Sequence, residues 1–213
     1  MPDSPHIVSD VMTHTAVAVG RDAAFKEIVQ LLGQWKISAL PVIEGEGRVV
    51  GVVSEADLLP KEEFRDDDPS RYDVIRRLPD LAKAGAVTAG ELMTSPAVTV
   101  QAGATLAEAA RIMAHHSVKR LPVVDASGLL QGVVSRGDLL KVFLRPDEEI
   151  ADEIRRSVVA QLPSAPDLDV RVADGVVTLD GSLRDRSFVP VLARAVRAVE
   201  GVIDIRMDFH DAA

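Results

Sequence analysis

The chain of 213 residues carries 33 acidic and 24 basic side chains, which gives a formal net charge of −9. It contains no cysteine, and this excludes disulfides, thiolate metal sites and cysteine nucleophiles. The acidic balance argues against non-specific binding to nucleic acid. No apolar run approaches the roughly 20 residues of a membrane-spanning helix, and the N-terminus lacks the basic start and apolar core of a secretory signal. We therefore expect a cytoplasmic protein.

A gapless internal repeat with a spacing of 81 residues occupies the first two thirds of the chain. The first motif, GVVSEAD at 51–57, returns as the second motif, GVVSRGD at 132–138. Between residues 10–59 and 91–140, 18 of 50 positions are identical. A repeat of this kind predicts two copies of one structural unit.

Each copy predicts the order strand, helix, strand, strand, helix. The first strand is expected at AVAV (16–19) or AVTV (97–100), and the second at LPVI or LPVV. The third leads into Ser-x-x-Asp-Leu-Leu, which opens the second helix. The first helix is predicted from apolar residues at helical spacing, namely Phe25, Ile28, Val29 and Leu32 in one copy and Leu106, Ala109, Ala110 and Met113 in the other. Trp35, at the end of the first stripe, is expected in the core.

The Ser-x-x-Asp pattern has two interpretations. Ser before a helix is a good N-cap, and an acidic residue three positions later favours the positive end of the helix dipole. Alternatively, the unpaired N–H groups of the helix start suit a phosphate, while the Asp carboxylate accepts hydrogen bonds from ribose hydroxyls. In that second interpretation, the Gly before the Ser lets a ligand approach the backbone closely.

The paired copies resemble CBS domains, and the pair resembles the two-domain Bateman module. The resemblance covers about residues 5–145. It rests on DVMT and ELMT, on LPVI and LPVV, and on the two motifs, which occur in the same order twice. It implies binding of an adenosine-containing ligand, such as AMP, ADP, ATP or S-adenosylmethionine. It also implies no catalytic activity and a homodimer formed through the helices of the pair.

Carried over residue by residue, the resemblance predicts two ligand sites. Asp57 and Asp138 would hold ribose, and Ser54 and Ser135 would lie near phosphate. The residues expected to wall the adenine are Thr15, Ala16, Val17, Leu40, Pro41, Pro96, Ala97, Val98, Leu121 and Pro122.

The two sites differ in charge. Arg136 replaces Glu55, and Lys119 with Arg120 replaces Ser38 and Ala39. Because cations hold phosphate and Glu55 would repel it, we predict that the second motif forms the stronger nucleotide site and that Lys119, Arg120 and Arg136 contribute to it. The alternative is that all three are solvated surface charges.

The segment between the copies, residues 59–90, is predicted to be a charged connector without chemistry, with a short helix within 72–81. We expect no metal site, because there is no cysteine and the adjacent His115 and His116 would point about 100° apart on a helix. No Gly-x-Ser-x-Gly or Walker sequence occurs, so we expect no enzyme activity.

Residues 147–210 form a separate pattern of helix, hairpin, helix and strand. The first helix carries Ile150, Ile154, Val158 and Leu162, and Pro163 ends it. Asp174-Gly175 predicts the hairpin turn; a helix with Leu192 and Val199 follows, closed by Gly201. The last strand places Ile203, Ile205, Met207 and Phe209 on one face. The segment resembles the BON domain, through VRVADGVVTLDGSL and VRAVEGVIDIRMDF.

BON domains are proposed to contact phospholipid membranes or other macromolecules. Residues 146–213 hold 14 acidic and 8 basic side chains, a net charge of −6, which disfavours docking to anionic lipid. We therefore expect a protein contact, with membrane contact as the alternative.

Together these patterns predict an α+β protein. Its parts are a CBS domain at 1–60, the connector at 61–88, a second CBS domain at 89–145 and an αββαβ BON domain at 147–210. The expected function is regulatory: the CBS pair senses an adenine nucleotide and the BON domain relays its state, with no required cofactor and no nucleic-acid partner. The alternative is an adaptor whose CBS units bind no nucleotide.

Overall fold

The computed structural model of the protein describes residues 6–65, 77–161, 167–183 and 186–210. The chain forms two compact units, one of Ile7–Arg136 and one of Gly137–Ala213 with Met1–His6.

The first unit contains the two copies of the repeat as far as Arg136, where the last helix of the second copy begins. The first copy comprises α1 (Val8–Val11), β1 (Val19–Gly20), α2 (Phe25–Trp35), β2 (Ala39–Glu44), β3 (Arg48–Ser54), α3 (Glu55–Leu58) and α4 (Pro60–Glu63). The connector contributes α5 (Leu78–Gly85). The second copy comprises α6 (Ala89–Leu92), β4 (Val100–Gln101), α7 (Leu106–His115), β5 (Arg120–Val124), β6 (Leu130–Ser135) and α8 (Arg136–Leu140). In each copy the short first strand runs parallel to the second, and the third is antiparallel to it.

Several sequence-based expectations for these elements are corrected. The first strands are only two residues long, and short helices, α1 and α6, precede them. The connector helix begins at Leu78 and extends beyond the predicted end, while residues 72–76 lie outside the described residues. Val29 and Trp35 are 47% and 54% exposed, and Ala110, the equivalent of Val29, is exposed as well. The stripe that α2 buries is therefore narrower than predicted, with Ile28 and Leu32 at its centre.

The segments that precede β1 and β4, residues 7–18 and 88–99, are called the leading segments here. Each of them pairs with the other copy rather than with its own. Thr13 forms a β-bridge with Val133 of the second copy, and Thr94 forms the equivalent bridge with Val52 of the first. The same reciprocity holds upstream, where bridges join Ile7 to Thr105 and Ala24 to Thr88. The core of the first copy consequently includes Ala86, Ala89 and Leu92, packed with residues such as Ile28, Leu32 and Leu40. Each copy thus completes the hydrophobic core and hydrogen bonding of the other.

This exchange explains the glycine that both motifs share. A Cβ atom on Gly51 would lie 2.4 Å from Met93 Sδ and 3.0 Å from the Thr94 carbonyl oxygen. A Cβ atom on Gly132 would lie 2.7 Å from the Thr13 carbonyl oxygen. The expectation that these glycines admit a ligand is therefore wrong, because the leading segment of the other copy fills that space.

The second unit contains the C-terminal domain. Its elements are α9 (Asp147–Glu153), β7 (Asp167–Ala173), β8 (Val176–Ser182), α10 (Val189–Arg197) and β9 (Asp204–His210). The first helix continues as a π-helical turn (Ile154–Val158) and a 3₁₀ turn (Val159–Gln161); Leu162 and Pro163 lie outside the described residues. Strands β7 and β8 form an antiparallel hairpin, and β9 pairs parallel to β8. The predicted order of elements is confirmed.

In the C-terminal domain, the hairpin turn between β7 and β8 is held by hydrogen bonds to the start of α9. Asp174 and Gly175 both have positive φ, 51° and 72°, as a tight hairpin turn requires. The Asp147 carboxylate accepts hydrogen bonds from both of their N–H groups, at 2.8 and 2.9 Å. Residues such as Ile205 and Phe209 pack on the core as expected, but Ile203 precedes the strand and is 62% exposed. The prediction that Ile203 belongs to the strand and shares its apolar face is therefore wrong.

Candidate functional site

The side chain of Asp57 lies at the corner where β3 turns into α3. Among the described residues it is the one charged or polar side chain that is buried, at 8% exposure. The Ser54 N–H and the Ser54 hydroxyl each donate to Asp57 Oδ2 at 2.7 Å. The structural interpretation of Ser-x-x-Asp is thus confirmed for the carboxylate, which caps the helix start.

Asp57 also borders a cavity of about 460 Å³, which we call the Asp57 cavity. Its volume is within the range of small-molecule sites. Seven predicted site residues line it, namely Ser54, Asp57, Pro96, Ala97, Val98, Lys119 and Arg120. Because of the exchanged leading segments, Pro96–Val98 belong to the second copy while Ser54 and Asp57 belong to the first. A single cavity therefore combines parts of both copies.

The cations of the Asp57 cavity come from the second copy. Lys119 and Arg120 line it, and Arg120 Nη2 donates to Ser38 Oγ at 2.8 Å. In sequence both residues precede the second motif, which is why the charge comparison assigns them to it. The structure instead brings their side chains to the first motif, so the charge argument for a stronger second site now applies to the Asp57 cavity.

The charged side chains of the second motif have partners within their own copy and the segment that follows it. Arg136 is exposed, and its Nε donates to the Val118 carbonyl oxygen at 3.1 Å. Asp138 lies in the first turn of α8, where its Oδ1 accepts a hydrogen bond from Lys141 Nζ at 2.8 Å. Ser135 ends β6 and is half-buried. Binding by these three residues stays a prediction.

The remaining predicted wall residues divide into two groups. Leu40, Pro41, Leu121 and Pro122 are buried within β2 and β5, and Leu40 and Leu121 are fully inaccessible. These positions belong to the sheets and do not line the Asp57 cavity. Thr15, Ala16 and Val17 precede β1; Thr15 is exposed, whereas Val17 packs against the core of the first copy.

The predicted site residues leave out several contributors to this region, three of which bear on its chemistry. Ser38 and Thr94 line the Asp57 cavity, and Lys83 of the connector forms an ion pair with Asp57 Oδ1. Thr94 belongs to the second copy and reaches this cavity because its leading segment pairs with Val52 of the first copy. The lysine could not be found from the repeat, because the connector has no second copy.

A more open groove of about 750 Å³ lies beside the Asp57 cavity and is bordered by residues of α2 and α3. Ser38, Glu55, Leu59 and Arg120 line both spaces. Arg120 therefore stands where the cavity meets the groove. No cluster of three or more potential metal ligands occurs among the described residues, and no helix within them is long and apolar enough to cross a membrane.

The sequence model of the CBS domain matches residues 8–61 and 89–145, just over half of the chain. The protein belongs to the CBS domain family. The BON domain model matches residues 146–210, so a CBS pair is followed by a BON domain, as the resemblances predicted.

Relatives of known sequence or structure match the CBS pair. An uncharacterized protein of Methanocaldococcus jannaschii, MJ1426, is 30% identical over 65% of this chain and 91% of its own length. The inosine-5'-monophosphate dehydrogenase of Halalkalibacterium halodurans is 31% identical over 67% of this chain, but the match spans only 25% of that enzyme. The crystal structure of CBSX2 from Arabidopsis thaliana in complex with AMP is 32% identical, covers 65% of this chain and 97% of CBSX2, and superposes with a TM-score of 0.58.

Proposed function

We propose that the CBS pair binds an adenine nucleotide in the Asp57 cavity and that the protein is a regulatory sensor rather than an enzyme. The observation that carries this proposal is the cavity itself, which unites a buried carboxylate with two cations across the two copies. A carboxylate suits ribose hydroxyls, whereas Lys119 and Arg120 suit phosphate. The apolar stretch Pro96–Val98 offers a surface for the base. CBSX2, which is 32% identical, binds AMP, and this supports an AMP-class ligand.

The two cations provide the sharpest test. We expect Lys119→Ala and Arg120→Ala each to weaken AMP binding at least about tenfold, as a lost charge-assisted contact would. Arg111→Ala is the matched control, because Arg111 is an exposed cation on α7 that does not line the cavity. Isothermal titration calorimetry with AMP, ADP, ATP and S-adenosylmethionine would measure affinity and stoichiometry. Failure of every one of these ligands to bind would favour the adaptor function instead.

The same calorimetry also tests the prediction that the second motif forms the stronger nucleotide site. If the second motif dominates, Arg136→Ala and Asp138→Ala will remove most of the binding heat, while Lys119→Ala and Arg120→Ala will remove little. We favour the Asp57 cavity, because two cations and a buried carboxylate line the same space.

We also propose that the pair forms a homodimer and that the BON domain contacts a protein. Val29, Trp35 and Leu59 are exposed apolar side chains on and beside helices of the pair, a feature typical of protein interfaces. Sedimentation equilibrium of Trp35→Glu would test the dimer, since Trp35 lines neither the cavity nor the groove and loss of association is expected. Robust co-sedimentation of the protein with anionic vesicles would instead favour the membrane alternative for the BON domain.

A further inference from the structure

The connector helix α5 is attached to the candidate nucleotide site through one ion pair. Lys83 Nζ donates to Asp57 Oδ1, and the two side chains are only 23% and 11% exposed. A second contact holds the same helix, because Lys61 Nζ of α4 donates to the Ala84 carbonyl oxygen at 2.8 Å. The connector is therefore packed against the corner that carries Asp57.

Lys83 approaches Asp57 from outside the cavity. Asp57 is among the described residues that line the cavity, whereas Lys83 is not. The lysine thus leaves the space of the ligand open while it contacts the carboxylate. A carboxylate has about four acceptor positions, and Ser54 and Lys83 together donate three hydrogen bonds to it. One position remains for a ligand hydroxyl.

The ion pair between Lys83 and Asp57 changes the net charge that a ligand meets in the cavity. The described residues that line the cavity include two acidic side chains, Glu55 and Asp57, and two basic ones, Lys119 and Arg120. The lining alone is therefore neutral. A buried carboxylate also repels the phosphate of a ligand bound beside it, and a cation within contact distance of the carboxylate cancels that repulsion.

We infer that Lys83 is a specificity-determining residue of the Asp57 cavity: it gives the site its positive balance and selects a phosphorylated ligand over the neutral nucleoside. This inference rests on the proposed function. It assigns the connector a part in ligand recognition, through the side chain of Lys83 on α5.

The experiment compares AMP with adenosine by calorimetry on the full chain. Lys83→Met is expected to weaken AMP binding about tenfold and adenosine binding less than about twofold, because only AMP carries the repelled charge. Lys83→Arg is expected to restore most of the preference for AMP. Lys61→Met is the matched control: it removes the neighbouring tie to α5 and leaves Asp57 paired, so the ratio of the two affinities should not change.

Each outcome decides the inference. An equal loss of AMP and adenosine binding in Lys83→Met would show a merely structural role and overturn it, as would no loss at all. If circular dichroism shows that Lys83→Met does not fold, Lys83→Gln replaces it in the same comparison. Absence of binding of both ligands to the unmodified chain would overturn the proposed function and this inference together, which distinguishes that failure from a failure of Lys83 alone.

Discussion

The two copies of the repeat share a fold but differ in the lysine that pairs with the same aspartate. Asp57 is buried and paired with Lys83, a residue that lies outside the repeat. Asp138 pairs with Lys141 of its own helical segment, and that lysine is 60% exposed. A duplicated backbone therefore supports two different electrostatic environments, because segments outside the duplication can attach to one copy alone.

The largest expected effect on stability comes from replacing the two aspartates. Asp57→Ala should lower the free energy of unfolding by about 3 kcal/mol, because it removes a helix cap and leaves Lys83 mostly buried without its partner. Asp138→Ala should cost less, because the lysine that loses its partner there, Lys141, is 60% exposed and stays solvated. Urea denaturation without ligand measures both. The double variant Asp57→Ala/Lys83→Met should recover part of the loss, and equal costs for the two single variants would contradict the asymmetry.

A smaller effect is expected at the glycines of the two motifs. Gly132→Ala should lower the free energy of unfolding by about 2 kcal/mol, because its Cβ meets the backbone oxygen of Thr13. Gly51→Ala should cost about 1 kcal/mol, since the nearest atom there belongs to the flexible Met93 side chain. Thermal and chemical denaturation would rank the two variants. A larger cost at Gly51 would show that the exchanged segments are not held as described.

The smallest expected effect concerns the starts of α1 and α6. Glu91 Oε2 accepts hydrogen bonds from the N–H groups of Val87 and Thr88, and these bonds hold the pKa of Glu91 below its usual range. The equivalent Asp10 accepts one, from Ile7. At neutral pH, Glu91→Gln should therefore destabilise the protein more than Asp10→Asn.

The pH dependence of Glu91 has a definite sign. The pKa of Glu91 is lower in the folded state than its ordinary value of 4.5. The carboxylate therefore stabilises the folded protein fully above pH 4.5, and this stabilisation is lost as the pH falls through the lowered pKa. Denaturation midpoints between pH 5 and about pH 3 should thus fall less steeply in Glu91→Gln than in the unmodified chain. Parallel slopes would contradict this assignment.

Much of the fold could be predicted from the sequence, because periodicity and the repeat report local structure directly. The hairpin at Asp174 and Gly175 is an example, since the turn demands residues that tolerate positive φ. The site was only partly predictable. Lys119 and Arg120 precede the second motif in sequence but line the cavity of the first, because proximity in sequence does not report which side chains two packed copies bring together. Lys83 could not be predicted, because nothing in the sequence distinguishes it from a solvated surface lysine. Only the structure shows that it pairs with Asp57.

The exchange of leading segments has a consequence for fragments of this protein. A polypeptide limited to one copy would expose the sheet edge and the core positions that the other copy normally covers, and it would also carry its own unpaired leading segment. Since the exchange is reciprocal, two such fragments hold complementary parts and can satisfy each other about a two-fold axis. A half-length chain should therefore be obtained as a swapped pair of identical molecules rather than as an independent folding unit.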